Sequence, residues 1–122
     1  MSFTNFVVLD GNLVRDAETK YTQTGLAVAS FSIAHNRKVK DRDEVFYFDV
    51  TVMGKHAELI IERLRKGTMV LVVGHLRQRR WEDDRGNKRS KVEILANQVM
   101  FSGTAPRVEP TAADIPDEDI PF

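Results

Sequence analysis

Residues 76–81 read LRQRRW, the densest basic stretch of the 122-residue chain. Side chains alternate along an extended strand, so Arg77, Arg79 and Trp81 share one face, with Gln78 and Arg80 on the other. Two guanidinium groups beside an indole form a surface that attracts phosphates and stacks flat rings. Single-stranded nucleic acid suits such a surface: cations follow its backbone, and each base stacked on an aromatic ring contributes about 1–3 kcal/mol. Two further basic stretches flank this one. HNRKVKDRDE contributes Arg37, Lys38, Lys40 and Arg42 in a predicted loop placed to close over a strand lying on the sheet. DRGNKRSK contributes Arg85, Lys88, Arg89 and Lys91 on a predicted hairpin.

Other chemistry finds little support. His35, His56 and His75 fall in three different elements, and none forms a ligand-spaced pair of the H-E-x-x-H type. Neither GNL nor GKH has the further glycines of a phosphate loop, and no serine occupies a nucleophile elbow. Asp83 and Asp84 are adjacent, but they sit in a turn beside Arg85 and read as solvated turn residues. Cysteine is absent, which excludes a disulfide framework and thiol chemistry. The expectation is a binding protein without catalytic activity, metal or cofactor.

The elements that must position these side chains are mostly strands. Residues 6–14, 26–35 and 44–53 are rich in branched and aromatic residues, and the third alternates cleanly. Phe46, Phe48, Val50 and Val52 make its core face; Val45, Tyr47, Asp49, Thr51 and Met53 make the other. GKHAELIIERLRKG is the one good helix, with Ala57, Ile60, Ile61 and Leu64 on one side. Gly67 stands where a left-handed C-cap belongs. Arg63, Arg65 and Lys66 fill the predicted last turn, where cations favour the helix dipole. A long strand over 68–81 is apolar on both faces at first, so Met69, Leu71 and Val73 call for a second cover, such as another subunit. A hairpin loop over 82–88 and a last strand over 89–103 complete the body. Five strands with a helix between the third and fourth is the order of the OB-fold, a five-stranded Greek-key barrel; another small α+β sheet has the same order.

The zero net charge hides a split. Residues 1–103 carry 17 Lys/Arg against 13 Asp/Glu, whereas residues 104–122 carry one Arg against five acids. All four prolines lie in that tail, which closes on DEDIPF. The composition predicts a body over 1–103, a disordered linker over 104–116 and an acidic tip over 117–122.

These pieces together resemble the bacterial single-stranded DNA-binding proteins, the SSB family. The matching stretches are VVLDGNLVRDAETKYTQTGLAVASFSIA, FDVTVMGKHAELIIERLRKGTMVLVVGHLRQRRWEDDRGNKRS and the terminal DEDIPF. The resemblance implies an OB-fold that oligomerises, usually as a homotetramer, binds single-stranded DNA without sequence preference, and recruits replication and repair proteins through its tail. It assigns base stacking to Trp81 and Tyr47, and places Lys55, Arg77, Arg79 and Arg80 near the DNA. Met53 stands where the family often has a stacking phenylalanine, Val39 where it has a tryptophan in some members, and Phe48 where a histidine is common. Met53 then offers only a soft sulfur–π contact. In the tip, Asp117, Glu118 and Asp119 would steer toward a basic patch, while Ile120, Pro121 and Phe122 enter a partner's pocket. The linker of about a dozen residues is short for the family.

The alternative reading is a primosome-type OB-fold adaptor whose main role is protein–protein interaction. Catalysis on nucleic acid is a third reading, disfavoured by the missing metal ligands. The N-terminus shows no signal-peptide pattern and no apolar run is long enough to span a bilayer; the resemblance implies the bacterial cytoplasm, at the nucleoid, as the expected location.

Overall fold

The computed structural model describes residues 4–101. The tail over 102–122, including the predicted linker and the tip Asp117–Phe122, lies outside the described residues.

Alternation of small and branched residues builds the barrel. β1 (Val7–Leu13), β2 (Glu18–Tyr21), β3 (Ala27–Val39) and β4 (Arg42–Met53) precede helix α1 (Lys55–Ile60) and a 3-10 turn (Ile61–Arg63). β5 (Met69–Glu82) and β6 (Lys88–Phe101) follow. The sheet runs β1-β5-β6-β4-β3-β2, and β1 also pairs with β3, which closes five of the six strands into a barrel. All pairings are antiparallel except β4 with β6, which pair in parallel at Val50–Ile94 and Thr51–Leu95. This is the OB-fold. Ala27, Ala29, Phe31 and Ile33 of β3, Val50 and Val52 of β4, Val70 and Val72 of β5, and Ile94 of β6 fill the interior. Ala57, Ile60 and Leu64 plug one end.

The strand β2 is an addition to the five predicted. Its four residues are all exposed, so no apolar pattern marks it; its backbone simply extends the open edge of β3 from Ala27 to Ser30. The helix is shorter than predicted. It gives way to the 3-10 turn at Ile61, and Leu64 leaves helical geometry at φ −87°, ψ 73° to turn into the core. Gly67 does adopt φ +87°, but in the turn closed by the Thr68 amide on the Arg65 carbonyl, not as a helix cap.

The third correction concerns the predicted basic loop. β3 and β4 pair continuously from Val28–Met53 to Val39–Arg42, so Arg37 and Lys38 lie on a long hairpin arm. Phe46 and Phe48 take the core-facing side as expected, yet remain exposed, because at that point the strands have run past the barrel. β5 and β6 make the second arm, paired as far as Glu82–Lys88.

On β6 the interior positions run Ile94, Ala96, Val99: a bulge shifts the parity. The bulge packs against Gly74, where an added Cβ would lie 2.2 Å from the Leu95 carbonyl oxygen and 2.8 Å from the Ala96 Cα. Backbone cannot yield as a side chain does. Gly74→Ala should destabilise the fold by roughly 1–3 kcal/mol through this overpacking, read as a lower urea midpoint.

Candidate nucleic-acid interface

The residues that face away from the barrel interior form a second surface. The odd-numbered residues of β5 and β4 and the even-numbered residues of β3 point outward, and the chain curves this face into a groove of about 420 Å³. Arg15, Lys20, Arg77, Arg79 and Lys91 line it together with Asp16, Glu18, Asp49 and Glu93. Its charges are interleaved, and the predicted basic channel is therefore nearly balanced.

Cross-strand register explains the pairs. Arg77 stands opposite Glu93, and its Nε and Nη2 donate to Glu93 Oε2 at 3.2 and 2.6 Å. Glu93 is 6% exposed whereas Arg77 is 39% exposed, so an enclosed carboxylate is held by a cation that still meets solvent. Asp49 stands opposite Ser32, accepts its hydroxyl, and forms an ion pair with Lys91 on the other arm. Those bonds, the Lys91 ammonium first and Ser32 second, hold the Asp49 carboxyl below its ordinary 3.8 despite partial desolvation. Arg79 stands opposite Lys91 and lies 5.2 Å from the centre of the Trp81 ring.

The predicted site residues separate by position. Arg77 and Arg79 line the groove. Tyr47 and Trp81 lie farther along the same outward face, at 67% and 44% exposure. By strand alternation Met53, cross-strand from Val28, and Lys38, cross-strand from Asp43, belong to that face as well. Arg37 and Arg80 point to the opposite face of their arms; Arg80 donates to Gln78 Oε1 at 2.7 Å. Lys55 is exposed at the start of α1.

Sequence reasoning passed over Asp49, Glu93, Arg15 and Lys20. Asp49 carried a weak signal as the one acid on the outward face of the predicted strand over 44–53. Glu93 and Arg77 are sixteen residues apart, and only the hairpin register brings them together. Asp83 is more than a solvated turn residue. Its Oδ1 accepts the Arg85 and Asn87 amides and its Oδ2 accepts Arg89 Nε, and these bonds, the Asn87 amide first, lower its pKa. The histidines act as strand ties: His56 Nε2 accepts the Val99 amide at 3.0 Å, and His35 Nδ1 lies 2.8 Å from the Asp10 carbonyl. Among the described residues no three His, Asp or Glu side chains gather as a metal site, and no helix is long and apolar enough to cross a membrane.

A closed five-stranded barrel with cations and aromatic rings on its outer face is the architecture of oligonucleotide-binding OB domains. Residues 4–102 match the Single-strand binding protein family, and the chain belongs to it. It is 48% identical over 108 residues to a single-stranded DNA-binding protein of Treponema pallidum, covering 85% of this chain and 61% of that protein. Proteins of the same description from Borreliella burgdorferi and Thermotoga maritima are each 40% identical. The first match covers 94% of this chain and 81% of the relative, and the second 98% and 91%.

Removing Arg77 leaves the enclosed Glu93 carboxylate without its partner. Arg77→Met should cost on the order of 2 kcal/mol in urea unfolding because Glu93 keeps its charge without its donor; Arg79→Met should cost little. Asp49 and Asp83 have depressed folded pKa values, so the stability they contribute is present above about pH 4 and lost as pH falls below it. Melting temperature should hold from pH 7 to 5 and decline in stronger acid, less steeply for Asp83→Asn.

Proposed function

We propose that this protein binds single-stranded DNA without sequence preference along the outward face of β4 and β5. The observation that carries this reading is the alignment of Tyr47, Arg77, Arg79 and Trp81 on one exposed face beside the groove. Bases stack on the two rings while Arg79, Lys91 and Lys38 approach the phosphates, and Met53 and Lys55 border the far end. Arg77, held by Glu93, contributes a partly neutralised charge. Arg37 and Arg80, on the reverse of the arms, meet only a strand that wraps around an edge.

The protein works as a homo-oligomer, a tetramer in this reading. Support comes from the outer face of β1, β5 and β6, where Val8 is 64% exposed beside partly exposed Leu71, Val73 and Met100. Among the described residues one edge of β1 is also left unpaired over most of its length, as strand addition from a second copy requires. The acidic tip over 117–122, on its linker over 104–116, recruits replication, recombination and repair proteins in the bacterial cytoplasm. The sequence of the tip supports this: acids for steering, then Ile120 and Phe122 for a partner's pocket.

The chain has a single tryptophan, so its fluorescence reports one site. Oligo-dT should quench Trp81, and an unquenched signal would dismiss the stacking role. Trp81→Ala should weaken binding about tenfold across all base compositions, within the roughly 1–3 kcal/mol expected for a stacked base. Affinity should fall linearly in log–log form with salt, with a slope of about −0.7 per phosphate neutralised. Deleting Asp117–Phe122 should leave DNA affinity intact or raised and remove protein partners; loss of DNA binding would favour the adaptor reading instead. Light scattering with and without oligo-dT checks the assembly.

A further inference from the structure

The groove holds two acid–cation pairs that differ in the burial of the acid, since Arg77 and Lys91 are similarly exposed at 39% and 42%. Arg77 and Glu93 form a double contact to a carboxylate that is 6% exposed, so that pair stays together. Asp49 and Lys91 are 36% and 42% exposed, and solvent reaches both. They also sit where the barrel opens. The backbone contact between β4 and β6 is confined to Val50–Ile94 and Thr51–Leu95, and Asp49 and Lys91 join the two arms just beyond it. Arg79 neighbours Lys91 across the hairpin.

We infer, on the basis of the DNA-binding reading above, that Asp49 is a built-in competitor for the strand: its carboxylate occupies Lys91 in the free protein, and binding transfers Lys91 to a phosphate. Chemistry favours the transfer. A phosphate and a carboxylate both accept charge-assisted bonds from an ammonium group. An exposed ion pair is worth little, so its loss is a modest toll. Ser32 continues to hold the carboxylate, so Asp49 stays oriented after Lys91 departs. The released carboxylate then attracts a cation from solution, offsetting part of the counterion release caused by neutralising the phosphate. Asp49 thus lowers both the affinity and the salt sensitivity of the groove, and acts as a determinant of how firmly a strand is held.

The test is a double-mutant cycle read by Trp81 quenching with oligo-dT across a salt series. Asp49→Asn should bind about two- to fivefold tighter than the unmodified chain, the range of an exposed ion pair. Its salt slope should steepen, by up to about 0.7 for one phosphate fully counted. In a Lys91→Met background most of that gain should vanish, because no cation remains to be released. Asp49→Ser serves as the second variant, and urea unfolding verifies that each protein is folded. If the unmodified chain binds oligo-dT while Asp49→Asn binds no tighter with an unchanged slope, the competitor role is wrong and DNA binding stands. If Asp49→Asn tightens binding equally with Lys91→Met in place, the acid acts by general repulsion and the transfer is wrong. Failure of the unmodified chain to bind at all would overturn the DNA reading itself.

Discussion

The barrel closes through a parallel contact of only two residue pairs between β4 and β6. The antiparallel contact of β1 with β3 is as short, whereas β1–β5, β3–β4 and β5–β6 pair along much greater lengths, so these two short seams decide where the closed cylinder stops. On one side of the β4–β6 seam the interior is sealed by Leu64 and the short helix. On the other, both hairpins run on without each other, and residues that alternation assigns to the core come into the open. Phe46 and Phe48 are exposed for this reason, although their neighbours Val50 and Val52 are enclosed.

The same seam organises the charges. Where β4 and β6 pair through their backbones, the outward face needs no side-chain tie. Where they part, Asp49 from one arm meets Lys91 from the other. A groove between diverging ribbons is therefore bridged by ions rather than by peptide groups. Ions exchange partners with a polyanion; backbone ladders do not. The balance of acids and bases along the groove leaves most of the attraction to the few cations without tight partners and to the two exposed rings. The barrel supplies rigidity, since its glycine-lined crossing at Gly74 and the bulge opposite leave the strands little room to shift.

Strand alternation was legible wherever one face is apolar. The residues 26–35 and 44–53 revealed their inner faces, and LRQRRW placed Arg77, Arg79 and Trp81 together as the structure has them. The order of elements pointed to the barrel, and the opening, helix and basic-strand motifs pointed to the family. What failed lacked a local signal. β2 buries nothing, so its pairing appears only when β3 offers an edge. The long hairpin over Arg37 and Lys38 looks like a loop because charge alternates on both faces; its cross-strand partners, Glu44 and Asp43, become visible only in register. The helix was read too long because Leu64 fits a helical stripe, yet it reaches the core by leaving that geometry. Asp49 and Glu93 needed the third dimension, since each is defined by a cation on another strand.

Arg63 lies 3.9 Å from the centre of the Phe101 ring, beside the helix-plugged end of the barrel. The last described strand is thereby moored at the pole opposite the two hairpin tips. The contour of β6 between those poles is at most about 45 Å, at roughly 3.3 Å per residue over its 14 residues. The described polypeptide therefore ends on the side of a stiff cylinder away from the outward-facing rings and the ion-bridged gap.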